Sequence, residues 1–258
     1  MWRGIRITVL LLTLLTVAGV TWLDQRRSTS WEHTVWVGVF PINADARAAA
    51  AAYIAALRAA ELQPVSDFIA GEARRYGVAL EAPVALKLYP PLASPPPVLA
   101  ADANVFARLL WSLQLRYYRA RVLSSIARSR PQFTLFLLYH DPALASVLPH
   151  SAGLQRGLLG VVHLFAARSQ AGQNALVVAH ELLHAFGATD KYGLDSDAPR
   201  FPEGYAEPDR VPRFPQRYAE IMAGRIPLRA DRQEMPLDLS QALVGPATAR
   251  EIGWHARP

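Results

Sequence analysis

Apolar residues in this chain fall into short dense runs separated by polar or proline-rich breaks. The first run, residues 7–23 (ITVLLLTLLTVAGVTWL), holds no charge and no proline. As a helix it would be about 25 Å long, the short end of a bilayer span. Arg3 and Arg6 precede it and Arg26 and Arg27 follow it. Residues 1–27 therefore read as a signal anchor or a signal peptide, and 28–258 as the functional domain. The run ends Val20-Thr21-Trp22-Leu23, a poor cleavage site with an interface-seeking tryptophan, which favours an anchor. The domain is expected outside the cytoplasm, tethered through 7–23, or secreted if 1–27 is cleaved.

Beyond a short polar linker at 28–34 the pattern alternates between strand and helix periods. Residues 34–41, 84–89, 132–139 and 158–166 are β-branched and aromatic runs of strand length,. Residues 45–76 carry helical spacing interrupted at Pro64, which predicts two helices, with Asp45 placed to cap the first,. Residues 105–128 predict a long amphipathic helix whose Arg116, Arg119, Arg121 and Arg128 lie on a solvated face,. Residues 174–186 predict a very apolar helix, 187–218 a proline-punctuated loop, and Gly245-Pro246 the start of a short helix ending near 252,. The fold class is α/β (α+β), a mixed sheet with long helices.

Composition narrows the choice. Hydrophobic residues make up 52% of the chain and charged residues 19%, which excludes a disordered chain. The formal net charge is +6. Four Arg and one Asp lie within 1–27, so the rest carries only +3. With no recognisable motif, nucleic-acid binding is not expected. There is no cysteine, which removes thiolate metal sites and cysteine nucleophiles.

Candidate chemistry is concentrated in the apolar helix. Residues 180–184 read His-Glu-Leu-Leu-His. Histidines four apart share one helix face and can converge on one zinc ion. Glu181 adjoins the first of them, where a carboxylate can act as general base on a metal-activated water. Gly187 can end the helix in a left-handed conformation. Asp190 can then return an oxygen to the same metal, giving three protein ligands and an open position.

The segment His180-Glu181-Leu182-Leu183-His184-Ala185-Phe186-Gly187-Ala188-Thr189-Asp190 resembles the extended zinc signature of the metzincin metallopeptidases. Asp190, in place of the usual histidine, is similar to the snapalysin-like branch. Residues 218–224 (YAEIMAG) resemble the methionine turn that lies beneath the zinc, with Met222 in that role. The resemblance implies a mixed, largely antiparallel-edged sheet, an active-site helix, zinc as cofactor and a protein or peptide substrate. It also implies an edge strand before the zinc helix that binds substrate main chain. Residues 158–166 hold that position in the sequence, and an interior strand is the equal alternative.

The departures are specific. Position 224 is Gly where some metzincins carry a tyrosine, leaving Tyr192 and Tyr218 as transition-state candidates. Glu203 is an alternative third ligand, as in gluzincins. Asp195, Asp197, Glu203 and Asp209 match no calcium loop,. His140, His150 and His163 lack metal spacing. The expected function is a zinc endopeptidase, membrane-anchored or exported. The competing reading is a catalytically inactive zinc-containing peptide-binding or assembly protein at the membrane. Oligomeric state is open.

Overall fold

The computed structural model describes residues 30–254 apart from 101–102, 127–129, 145–146, 150, 155–157 and 194–195. Of the first 29 residues it describes only Arg6 and Gly19, so the predicted membrane segment lies outside the described residues. Among those described, no helix is long and apolar enough to cross a membrane.

The centre is a five-stranded mixed sheet in the order β2-β1-β3-β5-β4. Its strands are β1 (Val35–Asn43), β2 (Val84–Leu88), β3 (Phe133–His140), β4 (Ala152–Leu154) and β5 (Leu159–Phe165). The pairs β1–β2, β1–β3 and β3–β5 are parallel, and β4 runs antiparallel to β5. β1 and β3 are buried on both faces, which explains their nearly unbroken apolar sequences. The run predicted over 158–166 is thus an interior strand. The edge on that side is β4, three residues whose periodicity is too short to read.

Helices cover both faces. On one lie α1 (Ala48–Ala56), α2 (Gln63–Arg75) and α4 (Ala171–Phe186), packed on Val35, Val37, Val39, Leu135, Leu137, Val162 and Leu164. On the other lies α3 (Val105–Ser124), which seats Leu115 and Leu123 against Phe40, Ile42, Phe136, Leu138, Leu159 and Val161. Alternate residues along each strand supply the two cores.

Two local expectations change. The first helix begins after Arg47, and Asp45 does not cap it. Asp45 accepts instead from the backbone N–H groups of Arg47 and Asp141, at 3.3 and 2.7 Å. The break between α1 and α2 falls at 57–62, and Pro64 sits in the first turn of α2. That is where proline's missing N–H costs nothing. On α3 the predicted solvated face holds only in part: Arg121 is exposed, Arg116 and Arg119 are half-buried, and Arg128 lies outside the described residues, while Val105, Phe106, Leu109, Leu110, Leu113 and Tyr117 are exposed as well. Arg119 turns toward the sheet, donating to Thr134 Oγ1 and the Gln132 carbonyl.

After α4 the chain forms small pairs: β6 (Ala219–Glu220) with β9 (Ala242–Leu243), and β7 (Ile226–Arg229) with β8 (Arg232–Glu234). The short α5 (Pro246–Glu251) follows. The two ends of the domain meet beneath α4. Trp31 packs edge-on against Phe186 and Trp254, and its indole N–H donates to the Ile252 carbonyl at 2.6 Å.

Candidate metal centre

α4 is apolar on most sides, with Leu176, Val178, Leu182, Leu183 and Phe186 all buried, so its polar residues cannot drift to solvent. His180 and His184 stand one turn apart, ring centroids 4.6 Å from each other. Leu183 to Ala188 form a helix-ending motif with two backbone bonds, Ala188 N–H to the Leu183 carbonyl and Gly187 N–H to the His184 carbonyl, each 3.0 Å,. Gly187 makes it possible with φ of 115°, a conformation that a side chain resists. This turn redirects the chain and brings Asp190 over the histidines.

Asp190 Oδ1 lies 3.3 Å from His180 Nε2 and 3.1 Å from His184 Nε2. The far side of each ring faces a carbonyl: His180 Nδ1 is 3.0 Å from the Ile221 oxygen, and His184 Nδ1 is 2.8 Å from the Ala188 oxygen. A carbonyl can only accept, so the proton of each neutral imidazole belongs on Nδ1. Both Nε2 lone pairs then point at a carboxylate oxygen that has no hydrogen-bond partner and is buried. Three acceptor atoms facing one another repel unless a cation lies among them. Two imidazole nitrogens and one carboxylate oxygen form a donor set that fits a divalent metal ion.

Glu181 completes the cluster. Its carboxylate comes within 4.8 Å of the ligand atoms of His180 and His184, it is buried, and its Oε2 also lacks a partner. Burial pushes the Glu181 carboxyl above its usual range, the two histidines pulling the other way. For His180, burial disfavours the charged ring, but Asp190, Glu181 and the Ile221 carbonyl outweigh it and raise its pKa. Burial would raise Asp190, yet the paired imidazoles hold it well below the usual carboxylate range. The shifts of His180 and Asp190 describe a pocket that stabilises positive charge between the carboxylate and the rings, whereas that of Glu181 reports its burial,.

Of the other predicted residues, Met222 is fully buried, in the turn whose Ile221 carbonyl holds His180. Its own carbonyl accepts from the Lys191 N–H at 3.0 Å, joining that turn to the Asp190 segment. Tyr192 is beside the site, its phenol pushed up to about 12 by burial and then by the Asp190 charge. Tyr218 lies under Arg217 instead, 5.8 Å from guanidinium to ring centre. Glu203 is exposed in a turn and does not join the cluster of His180, Glu181 and His184, whereas Asp190 reaches both imidazoles. Among the described residues no second metal-type cluster occurs, and Asp195 lies outside them. His140 and His163 pair with each other across β3 and β5, Nε2 to Nδ1 at 2.8 Å.

Three residues with no sequence signal hold this shell in place. Glu220 is wholly buried and accepts four hydrogen bonds. They come from the Met222 and Ala223 N–H groups at 2.7 and 3.1 Å, the Gly245 N–H at 3.0 Å and the Thr248 hydroxyl at 2.6 Å. A Cβ on Gly245 would stand 2.9 Å from Glu220 Cγ, so this approach requires glycine. Glu251 accepts from the Thr189 N–H and hydroxyl, both at 2.8 Å, and from the buried Lys191 ammonium at 2.5 Å. Lys191 thereby pins the backbone next to Asp190.

Compared with known proteins, the chain matches no family model, and no curated protein matches it.

Proposed function

We propose that this chain is a zinc-dependent endopeptidase of the metzincin type, tethered to a membrane by residues 7–23 and acting outside the cytoplasm. One observation carries the reading. His180 Nε2 and His184 Nε2 both lie within 3.3 Å of Asp190 Oδ1, while the buried Glu181 carboxylate stands beside them with an unpartnered oxygen. A purely structural metal site has no use for that second carboxylate. The mixed sheet with one antiparallel edge strand, followed by the site helix, is compatible with the resemblance. In this reading the edge available to a substrate main chain is β4.

His180, His184 and Asp190 would hold the metal. Zinc, when bound, would lower the pKa of a water and polarise the scissile carbonyl. Ile221 and Ala188 orient the two imidazoles through their carbonyls and fix the Nδ1–H tautomer, the usual support for metal-binding histidines. Glu181 takes a proton from the attacking water and delivers it to the departing amine, a role that its raised pKa suits,. In this reading Met222 would lie beneath the metal, and Tyr192 would donate a hydrogen bond to charge developing next to Asp190.

The test has two parts. Elemental mass spectrometry of the purified full chain is expected to find about one zinc per chain, matching the single three-ligand set. Glu181→Gln is expected to keep that zinc and lower kcat/KM on a mixed peptide library about 10²–10⁴-fold. Folded protein that takes up no zinc overturns the metal assignment. Full turnover in Glu181→Gln overturns the mechanism.

A further inference from the structure

Two residues near the end of the chain hold the turn at Ile221 and Met222. The Leu243 carbonyl accepts from the Ile221 N–H at 2.8 Å, and the Gly245 N–H donates to Glu220 at 3.0 Å. Val244 stands between them and is fully buried. It lies past the end of β9, whose pairing with β6 stops at Leu243, so no strand satisfies its N–H or its carbonyl. Buried peptide groups need partners.

α2 supplies them. Glu72 Oε2 accepts from the Val244 N–H at 2.6 Å. Arg75 Nη2 and the Tyr76 hydroxyl both donate to the Val244 carbonyl, at 2.6 and 2.8 Å. Glu72, Arg75 and Tyr76 occupy the last turn of α2 and its cap at spacings of three and four, hence one face,. The three also hold one another. The buried Glu72 bonds Arg75 through both of its oxygens, and the Arg75 guanidinium lies over the Tyr76 ring, 4.8 Å from its centre. Three bonds on one peptide residue fix direction as well as distance, which apolar packing does not.

We infer that Glu72, Arg75 and Tyr76 are positioning residues of the metal centre. By fixing Val244 they set where Leu243 holds Ile221, and the Ile221 carbonyl orients His180 through Nδ1. The inference rests on the reading of His180, His184 and Asp190 as metal ligands. Glu72 has the central place, because it bonds both Val244 and Arg75.

The test separates orientation from stability. Glu72→Ala removes the acceptor of the Val244 N–H, and Glu72→Gln returns one oxygen to it. Tyr76→Phe deletes one of the two donors to the Val244 carbonyl and keeps the ring, so it carries the test if Glu72→Ala does not fold. Leu123→Ala opens the core on the opposite face of the sheet and serves as a variant destabilised elsewhere. Each is made in the full chain and measured at a temperature where it is folded. The readouts are hydrogen exchange at the Ile221 amide without metal, zinc affinity by chelator competition, and the visible absorption of the cobalt(II)-loaded chain, which reports ligand geometry. In Glu72→Ala, Ile221 is expected to lose protection relative to the amides of β1 and β3. Zinc affinity is expected to fall about 10-fold, and the cobalt spectrum to change shape. Tyr76→Phe is expected to change in the same direction by less, and Glu72→Gln to recover part of all three. Leu123→Ala is expected to lower the unfolding midpoint alone. Parent-like zinc affinity and cobalt spectrum in the α2 variants overturn the inference, as does unaltered exchange at Ile221. An equal loss in Leu123→Ala also overturns it, since the effect would then be one of stability. A parent chain that takes up neither metal overturns the metal reading itself, a result distinct from parent-like binding in the variants.

Discussion

At the scale of single residues, the three carboxylates around the centre differ by what satisfies them. Asp190 and Glu181 each keep a buried oxygen without a partner, whereas Glu220 spends both oxygens on four donors. The first two are equipped for a ligand or a proton, the third for holding backbone. Glu220→Gln puts an amide donor where an acceptor is needed and strands a buried N–H, at a cost of about 1–3 kcal/mol. It is expected to lower the thermal unfolding midpoint. Because the same turn delivers the Ile221 carbonyl to His180, zinc affinity is expected to fall about 10–100-fold, as for other losses of ligand support. Unchanged zinc affinity in the folded variant would restrict Glu220 to stability alone. His180, Glu181, His184 and Asp190 were legible because they sit within eleven residues, where helical spacing and one glycine determine geometry. Glu220 and Glu251 were not, since their partners lie 28 and 62 positions away and no periodicity links them.

At the scale of elements, the end of α4 matters more than its length. The turn from Leu183 to Ala188 needs positive φ at Gly187, and both the Ala188 carbonyl and Asp190 depend on its direction. Gly187→Ala is expected to cost about 1–2 kcal/mol. Metal binding should suffer beyond that loss, read by zinc titration at a temperature where the variant is folded. Zinc binding as tight as in the parent chain would show that the turn forms without glycine. The longer strands and helices were readable to within a few residues. β4, β6 and β9 were not, because two- or three-residue strands are defined by pairing rather than by pattern. α3 failed differently. Its period was evident, but assigning its outer face to arginines assumed that a helix has only one apolar side, and this one has two.

At the scale of the whole molecule, acid sensitivity gathers where the parallel strands end. His140 and His163 are both held below the ordinary histidine pKa by burial, His163 down to about 4. The nearby Asp45 pulls His140 the other way. Folding therefore favours the neutral rings. The stability they contribute is fully present above the unfolded value of about 6.5 and is lost as pH falls through that value toward about 4,. The melting temperature is expected to decline across that window, and less steeply in His163→Gln. An identical decline in both chains would move the effect to other groups. The sheet class followed from strand–helix alternation in the sequence, but strand order did not, because order depends on which distant runs pair.

The clasp formed by Gly245, Thr248 and Glu251 has a consequence in time. A ribosome delivers His180 and His184 some sixty residues before the groups that brace Ile221 and Asp190. A nascent chain halted ahead of residue 245 carries both imidazoles but neither brace. If the chain is the peptidase proposed, competence arrives late in synthesis, a delay that would shield neighbouring nascent polypeptides.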